Sequence, residues 1–355
     1  MAKILIKNGR VWDGEQFLYA DVLTDHEIIS EIRPHIAQNA DFVYDAAGKT
    51  VSAGLVDAHV HMRGVSSTEF GIHGEMSCFP FGVTAAADAG GGHGDKALLD
   101  SFMLKNVVFA GVSIKNNQVD FAKAEEELMR YDDKAIGLKI YFDTIVSEVS
   151  DITPLRKTCE YACKKGLRVM VHCSNSPAAM ADILNTLGKG DILTHAFHGG
   201  KNNAAEDHFE SMIQAQKRGV VIDAGMAGHI HTDFAVMKEA LQSGIVPDTV
   251  STDITKLSAY KRGGRYGMTM CMNIAKTLGM REEELFRAVT SNPAKALGKE
   301  AEWGYLQVGR KADLAVLDHT DEGFDLTDKA GNHICSKEGW RCVMTVSDGQ
   351  VVYRD

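Results

Sequence analysis

Short apolar runs alternate with amphipathic stretches through the middle of the chain. The runs at 135–142 and 191–197 are mostly apolar, whereas 153–166 repeats its apolar residues at helical spacing. Continuous apolar runs are typical of parallel strands covered on both faces, and the stretches between them predict the covering helices. With the run that precedes His59, eight such strand units follow one another. Eight units favour a closed (β/α)8 barrel of the TIM type over an open sheet, and we predict it at 53–299.

Both ends of the chain show a different pattern, in which short alternating segments are separated by turn residues. Asp348-Gly349 stands between two valine-rich segments, which is a strong signal for a β-hairpin. Residues 1–52 and 300–355 are therefore predicted to be β-rich. Because chain termini often lie close together, we expect the two ends to form one small composite β-sandwich domain.

Composition narrows the class of protein. The chain has 355 residues, of which 45% are hydrophobic, enough for a barrel and a smaller appendage. Its formal net charge of −10 does not favour nucleic-acid binding, and no apolar run reaches the length of a membrane-spanning helix. The seven scattered cysteines indicate free thiols in a reducing cytoplasm. We expect a cytoplasmic homo-oligomer that acts on a small molecule and has no nucleic-acid or membrane partner.

Candidate chemistry lies at the ends of the predicted strands, where the active site of such a barrel is found. His59 and His61 are two residues apart on the first strand, so both imidazoles point to one face. An HxH pair alone is a weak signal for a metal site. Four later strands each add one titratable side chain near the carboxyl end, and these are Lys139, His172, His195 and Asp253.

Each of these residues taken alone could be a hydrogen-bonded core residue, and Lys139 could be a structural lysine that extends towards solvent. Buried ionisable groups are costly unless they are paired or bind metal, so their recurrence at separate strand ends favours one shared site. Neutral imidazoles and carboxylates suit Zn²⁺ and similar ions. Two cations about 4 Å apart need a bridging anion as well as water. The free amine of a buried lysine would react with CO₂ to give a carbamate, whose two oxygens could each bind one cation.

The ordered set of motifs resembles the amidohydrolase superfamily over nearly the whole chain. "GLVDAHVH" is similar to the first-strand motif of that superfamily, and "TSNPAKALG" followed by "GYLQVGRKADLAVLD" is similar to its C-terminal signature. More narrowly, "VMVHCSNSP", "DILTHAFHGG" and "STDI" resemble the dihydroorotase-like branch of amidohydrolase/deacetylase metallohydrolases.

That resemblance implies a binuclear metal centre, with zinc as the expected cation. The more buried cation would be held by His59, His61 and Asp253, and the more exposed one by His172 and His195. Carboxylated Lys139 would bridge the two cations together with hydroxide. Asp253 would also accept a proton from the attacking water and deliver it to the leaving group.

The resemblance extends to substrate binding. Arg63 follows His61 by two residues, and in dihydroorotases an arginine at this place clamps the substrate carboxylate, a role that a planar guanidinium suits. Arg63 could instead anchor a loop. Met226 stands where this branch usually carries a histidine, so His229 and His231 are the candidates to replace it. His93 lies among glycines, where the backbone could approach a substrate closely.

A basic, glycine-rich segment follows Asp253 and could bind a second anionic group or simply be solvated. Its charged residues are Lys256, Lys261, Arg262 and Arg265.

The expected function is hydrolysis of amide or ester acyl bonds in small, carboxylate-bearing molecules, led by deacetylation of N-acyl amino acids. Ring opening of a cyclic amide such as dihydroorotate is the close alternative. Nucleobase deamination is a third option, which Lys139 disfavours because the deaminase branch generally uses one cation and no bridging lysine. A metal-free scaffold homologue is the non-enzymatic alternative.

Overall fold

The computed structural model of the chain describes residues 2–64, 67–261 and 266–355. Five strands come first, and they are β1 (Ile4–Trp12), β2 (Phe17–Asp25), β3 (Ile28–Arg33), β4 (Phe42–Asp45) and β5 (Thr50–Ala53). The strands of the middle region are β6 (Leu55–Val60), β7 (Val83–Asp88), β8 (Lys105–Gly111), the short pair β9 (Ile114–Lys115) and β10 (Gln118–Val119), then β11 (Ala135–Tyr141), β12 (Arg168–His172), β13 (Ile192–Thr194) and β14 (Val221–Ile222). The last strands are β15 (Leu314–Thr320), β16 (Phe324–Thr327), β17 (His333–Ser336), β18 (Gly339–Ser347) and β19 (Gln350–Arg354).

Seven strands of the described middle region form one parallel sheet in chain order, β6-β7-β8-β11-β12-β13-β14. The predicted eighth strand at 248–253 is present as a segment held by isolated bridges on both sides. Thr249 pairs with Asp223 next to β14, and Ile254 pairs with Val60 of β6. This curled parallel sheet is that of a TIM-like barrel.

Helices pack around the barrel sheet between successive strands. They are α1 (Gly74–Cys78), α2 (Lys96–Asp100), α3 (Phe121–Tyr131), α4 (Thr153–Lys165), α5 (Met180–Thr186), α6 (Glu210–Arg218), α7 (Phe234–Gln242), α8 (Met268–Leu278), α9 (Glu282–Ala288) and α10 (Ser291–Ala296). α4 shows why they form: Pro154 stands in its first turn, and Gly166 ends it in the left-handed conformation that favours glycine. In the described residues, no helix is both long and apolar enough to cross a membrane.

Alternation along the barrel strands decides which side chains enter the centre. Leu138 and Ile140 of β11 belong to the apolar cluster that also contains helix residues such as Leu155, so Lys139 between them points inward. In β12, Val171 faces the helices and His172 faces the interior. Away from the carboxyl ends of the strands, the barrel is filled by an apolar layer. It is made of residues such as Val56, Phe109, Met170, Ile192 and Trp303. Polar side chains are thereby confined to the end of the barrel where the strands finish.

The two chain ends form one sheet, in the order β19-β18-β15-β5-β1-β2-β3, with β4 added along β1. β5 is the strand that joins the two halves, since it pairs with β1 on one side and β15 on the other. Among the described residues, the remaining strands of the ends are the separate hairpin β16–β17. The predicted β-sandwich is therefore not confirmed, because one sheet and a hairpin stand in place of two packed sheets. The division of the chain at 52 and 300 stays a prediction.

Candidate metal centre

His59 and His61 stand at the end of β6, each with one ring nitrogen held by the protein and the other facing Asp253. Nδ1 of His59 lies 2.9 Å from Oγ1 of Thr194, and Nδ1 of His61 lies 2.9 Å from the carbonyl oxygen of Gly90. The Nε2 atoms of His59 and His61 lie 3.2 and 2.8 Å from Oδ1 of Asp253. Because both Nδ1 atoms are engaged, Nε2 is the atom that each ring offers to a metal.

Asp253 faces these imidazoles from the closing segment of the barrel. Its backbone is left-handed, with φ of 48°, and its backbone N–H donates to the carbonyl oxygen of His59 over 2.8 Å. A non-glycine residue in this conformation stores strain and is characteristic of functional sites. Burial raises the pKa of Asp253, but His59 and His61 outweigh it and hold the pKa well below its usual range. The carboxylate is therefore an ionised acceptor in the centre.

Lys139 reaches the same point from the inner face of β11. Its side chain is completely buried, and its Nζ lies 3.3 Å from Nε2 of His59. Burial lowers the pKa of Lys139 to about 8, although nearby carboxylates, Asp253 foremost, oppose that shift. The amine consequently loses its proton far more readily than a lysine in water.

His172, His195 and His231 form a second cluster, in which one nitrogen from each ring lies within 4.8 Å of the others. The remaining nitrogens contact anchoring groups: Oδ2 of Asp143 at 3.0 Å for His172, the carbonyl oxygen of Gly225 at 2.6 Å for His195, and Oγ of Ser174 at 2.9 Å for His231. The atoms that His172 and His195 offer to a metal are therefore Nδ1 and Nε2, respectively.

The second cluster is continuous with the first. Nε2 of His195 and of His231 lie 3.8 and 4.0 Å from Oδ2 of Asp253, and the rings of His59 and His195 have centroids 5.2 Å apart. Burial lowers the pKa of His172 and of His195, which keeps both imidazoles neutral, as metal ligands must be. The structure thus brings together all six residues predicted for the metal centre and adds His231 beside them.

A layer of carboxylates and hydroxyls supports the imidazoles, and sequence reasoning missed it. Asp223 accepts hydrogen bonds from the hydroxyls of Thr194, Thr249 and Ser251 at 2.6–2.7 Å, and Thr194 in turn contacts His59. Asp223 directly follows β14. An acidic residue at the end of a predicted strand was therefore the sequence signal that could have identified it. Its partners come from two separate segments, the end of β13 and the closing segment of the barrel, which only the folded chain brings together.

Arg63 is completely buried and is paired with an acid. The strand β6 ends at Val60, so Arg63 no longer follows the alternation that would align it with the two histidines. Its Nε donates to Oδ1 of Asp88 over 2.8 Å, and its guanidinium lies 4.5 Å from the ring centroid of Tyr131. Nη1 and Nη2 have no hydrogen-bond partner in the part of the chain that the structure describes. The role of Arg63 as a carboxylate clamp stays a prediction.

The other predicted substrate residues lie in different surroundings. His231 is about one-quarter exposed and joins the second histidine cluster, whereas the ring of His229 lies 6.4 Å from that of Phe234 at the start of α7. Met226 is buried. The side chain of His93 is exposed, and its carbonyl oxygen accepts a hydrogen bond from Gly64. His231 is therefore the geometric candidate to replace the missing histidine.

The basic segment after Asp253 is only partly described. Nζ of Lys256 donates to the carbonyl oxygen of Ser67 over 2.7 Å, which joins two loops at this end of the barrel. The side chain of Lys261, and Arg262 and Arg265 entirely, lie outside the described residues. An anion-binding role for this segment stays a prediction.

The donor set fits two adjacent divalent cations. Two groups of candidate ligands are present, namely His59, His61 and Asp253, and His172, His195 and His231. Within the described residues, Nε2 of His195 is completely buried and has no hydrogen-bond partner, and coordination to a metal would satisfy it. Every imidazole of the two groups is also oriented by a second protein group, as is usual for metal-binding histidines.

Comparison with known proteins agrees with this geometry. The model of the amidohydrolase family matches residues 50–352. A protein named deacetylase from Enterococcus faecalis is 27% identical over 369 aligned positions, which cover 98% of this chain and 98% of that protein. A dihydroorotase crystal structure has a TM-score of 0.86 at 22% identity and covers 100% of this chain and 98% of its own, which shows the fold. An adenine deaminase crystal structure has a TM-score of 0.86 at 25% identity and covers 99% of each chain.

The barrel and its histidine clusters thus define a metal-dependent hydrolase, and the chain belongs to the amidohydrolase family. It is a hydrolytic enzyme that acts on carbon–nitrogen bonds. The predicted superfamily membership is confirmed.

Proposed function

We propose that this chain hydrolyses amide or ester acyl bonds in small, carboxylate-bearing molecules, with N-acyl amino acids as the leading substrate class. The observation that carries the proposal is the convergence of four anchored imidazoles on the carboxylate of Asp253, with His172 against two of them and Lys139 buried beside His59. A relative of matching length that is named deacetylase supports the reaction type. The quarter-exposed position of His231 gives a substrate access to the centre.

Two zinc ions are the proposed cations, because imidazole nitrogens and carboxylates suit zinc. His59, His61 and Asp253 would hold one ion, and His172 and His195 the other. We propose that Lys139 is carboxylated at Nζ: the free amine adds to CO₂, a C–N bond forms, and one proton leaves. The resulting carbamate would bridge the two ions. When bound, the ions supply a water of lowered pKa and polarise the scissile carbonyl.

Asp253 is the proposed proton carrier. Its Oδ1 faces His59 and His61, whereas its Oδ2 faces His195 and His231 on the open side. The ionised carboxylate would accept a proton from the attacking water and deliver it to the nitrogen or oxygen that leaves the acyl group. His231, with Nδ1 held by Ser174, would direct Nε2 at the substrate and donate a hydrogen bond to its acyl oxygen.

We also propose a cytoplasmic location and a homo-oligomeric state. The location is supported by the cysteines, which are all free thiols in the structure, as expected in a reducing compartment. Sedimentation of the purified protein would measure the oligomeric state, and a monomer at micromolar concentration would remove that part of the proposal.

A substrate screen on protein reconstituted with zinc and bicarbonate tests the function. The panel contains N-acyl amino acids, acyl hydroxy acids, cyclic amides including dihydroorotate, and adenine. We expect turnover of the first class and close to two equivalents of zinc per chain. Preferred ring opening would establish the dihydroorotase-like alternative. Less than one equivalent of metal together with no turnover would favour a metal-free scaffold and overturn the proposal.

A further inference from the structure

A cavity of about 250 Å³ opens beside His231. Its lining includes Ser174 and Asn175 after β12, His198 after β13, and Lys329 from the hairpin β16–β17. It therefore adjoins the second histidine cluster through His231 and Ser174. A cavity of this size accepts the part of a small substrate that lies beyond the reacting bond.

His198 presents a hydrogen-bond donor that the protein leaves unused. Its side chain is only 3% exposed. The backbone N–H of Gly200 donates to Nδ1 of His198 over 3.1 Å, so the proton of the neutral ring is on Nε2. Among the described residues, Nε2 of His198 has no hydrogen-bond partner. A buried donor without a partner costs stability, and a ligand oxygen in the cavity would satisfy it.

Two glycines shape the wall around His198. A side chain on Gly199 would place its Cβ 2.1 Å from Oδ2 of Asp233, and one on Gly200 would place it 2.5 Å from the carbonyl oxygen of Ser174. A larger residue would displace the side chain of Asp233 at the first position and the backbone of Ser174 at the second. Glycine at both positions therefore lets the segment after His198 pass close to Ser174 and Asp233.

Lys329 enters the cavity from outside the barrel, on a turn that is firmly docked. The buried carboxylate of Asp328 accepts the backbone N–H of Phe234 at 2.7 Å and that of Asn332 at 2.8 Å. Nδ2 of Asn332 also donates to Oδ1 of Asp233 over 3.0 Å. These bonds fix the turn between β16 and β17 on the start of α7, so the backbone of Lys329 is held at the cavity.

The charged side chains among the described residues that line the cavity are Lys329 and Asp233. Oδ1 of Asp233 caps α7 by accepting from the N–H groups of Ala235 and Val236, in addition to Asn332. Three protein donors therefore already occupy Oδ1 of Asp233, which leaves Lys329 as the charged side chain available to a ligand anion. The ammonium of Lys329 is exposed and can pair with a ligand.

We infer that this cavity binds the carboxylate-bearing part of the substrate, with Nε2–H of His198 donating to a substrate oxygen and Lys329 pairing with the carboxylate. The inference rests on the proposed function for the substrate class, and it assigns specificity to residues outside the metal centre.

Calorimetric titration of the metal-loaded protein with N-acetylalaninate and with its neutral carboxamide tests the inference by binding. The wild-type protein should bind the acid more tightly than the amide. Lys329→Met should reduce that preference about fivefold, the scale of a partly solvated ion pair. Lys329→Arg should retain it, and Lys337→Met, at an exposed lysine directly after the same hairpin, should leave it unchanged. His198→Phe should weaken binding of both probes, and His198→Gln, which restores a donor near the position of Nε2, should recover part of it.

A preference that survives Lys329→Met, or that is lost instead in Arg63→Met whose thermal melting shows a folded protein, overturns the inference. So does unchanged binding of both probes by His198→Phe whose thermal melting shows a folded protein. Tight, Lys329-dependent binding without any turnover of the acid would support the inference while refuting the proposed reaction, so the two failures are distinguishable.

Discussion

Nε2 of His61 lies 2.8 Å from Oδ1 of Asp253, although His61 follows the first barrel strand and Asp253 lies in the segment that closes the barrel. The backbones meet at the same place, because the N–H of Asp253 donates to the carbonyl oxygen of His59 and that of His61 donates to Ile254. The backbone hydrogen bonds that close the barrel are therefore the same ones that place Asp253 beside the two histidines.

Asp253→Asn should abolish most activity while preserving the fold. The amide keeps the shape of the carboxylate but cannot take a proton from the attacking water, so we expect kcat to fall about 10²–10⁴-fold. Steady-state kinetics and metal analysis of the same preparation measure the effect, with Asp321→Asn, an exposed acid, as the control. A kcat within a few-fold of wild type would exclude Asp253 as the proton carrier.

Lys139→Ala should remove the proposed bridge. We expect the zinc content to drop from about two equivalents to one or fewer and hydrolysis to fall about 10³-fold or more, because the bridging anion is lost. Added acetate or propionate should restore part of the activity by occupying the space of the carbamate.

A ¹³C NMR signal from wild-type protein prepared with labelled bicarbonate would detect the carbamate directly. Two equivalents of bound zinc in Lys139→Ala without any added carboxylate would contradict the bridge.

Ser174→Ala should remove the hydrogen-bond partner of Nδ1 of His231 and so weaken the control of the orientation of that ring. Second-layer partners of this kind contribute about 10–100-fold, so we expect a loss of that size in kcat with unchanged zinc content. Ser150→Ala, at an exposed serine, is the matched control. Loss of zinc rather than of kcat would instead show that His231 acts as a metal ligand.

Arg63→Met should destabilise the protein, because it leaves the carboxylate of Asp88 buried without its cation. Removing one partner of a buried ion pair lowers the free energy of unfolding by about 3–5 kcal/mol, because the other charge stays buried without a partner. The double variant Arg63→Met/Asp88→Asn should recover part of that loss in urea denaturation. If Arg63→Met is as stable as wild type and instead raises KM for acidic substrates, the side chain is a substrate clamp.

His198 should make stability fall on the acidic side of neutrality. Burial lowers the pKa of His198 to about 4, whereas the ring in the unfolded chain titrates near its ordinary value. The unfolded state therefore binds the proton first as pH falls below about 6.5, and the folded state loses up to about 3 kcal/mol by pH 4. His198→Gln should show a shallower fall than wild type in urea denaturation between these pH values, and His35→Gln, at an exposed histidine, should match wild type. Parallel curves for wild type and His198→Gln would contradict the assignment.

The barrel strands were predictable because they are apolar runs, and the site was predictable because five of them carry titratable residues near their carboxyl ends. Lys139 is the clearest case, since a lysine between Leu138 and Ile140 has to point into the barrel when its neighbours face the helices. The supporting layer was not predictable in detail, because the partners of Asp223 lie in segments that are distant in sequence. The direction of the Arg63 side chain could not be predicted from its spacing to His61. It depends on where β6 ends, and the spacing of residues does not determine the end of a strand.

Lys329 had no local signal in the sequence. It lies in a hairpin assigned to the β-rich end of the chain, and its place at the cavity depends on how Asp328 and Asn332 bond to the start of α7. Regular strand patterns indicate which elements form, but they do not indicate where a hairpin turn docks.

Because Lys329 lies on that hairpin, a residue proposed to select the substrate is far along the chain from the barrel strands that carry the metal centre. The turn between β16 and β17 can be lengthened, shortened or recharged without altering any strand that carries a ligand of the metal centre. Grafting turns of different charge between Asp328 and Asn332 is thus a direct route to redirecting this catalyst towards cationic or neutral acyl compounds.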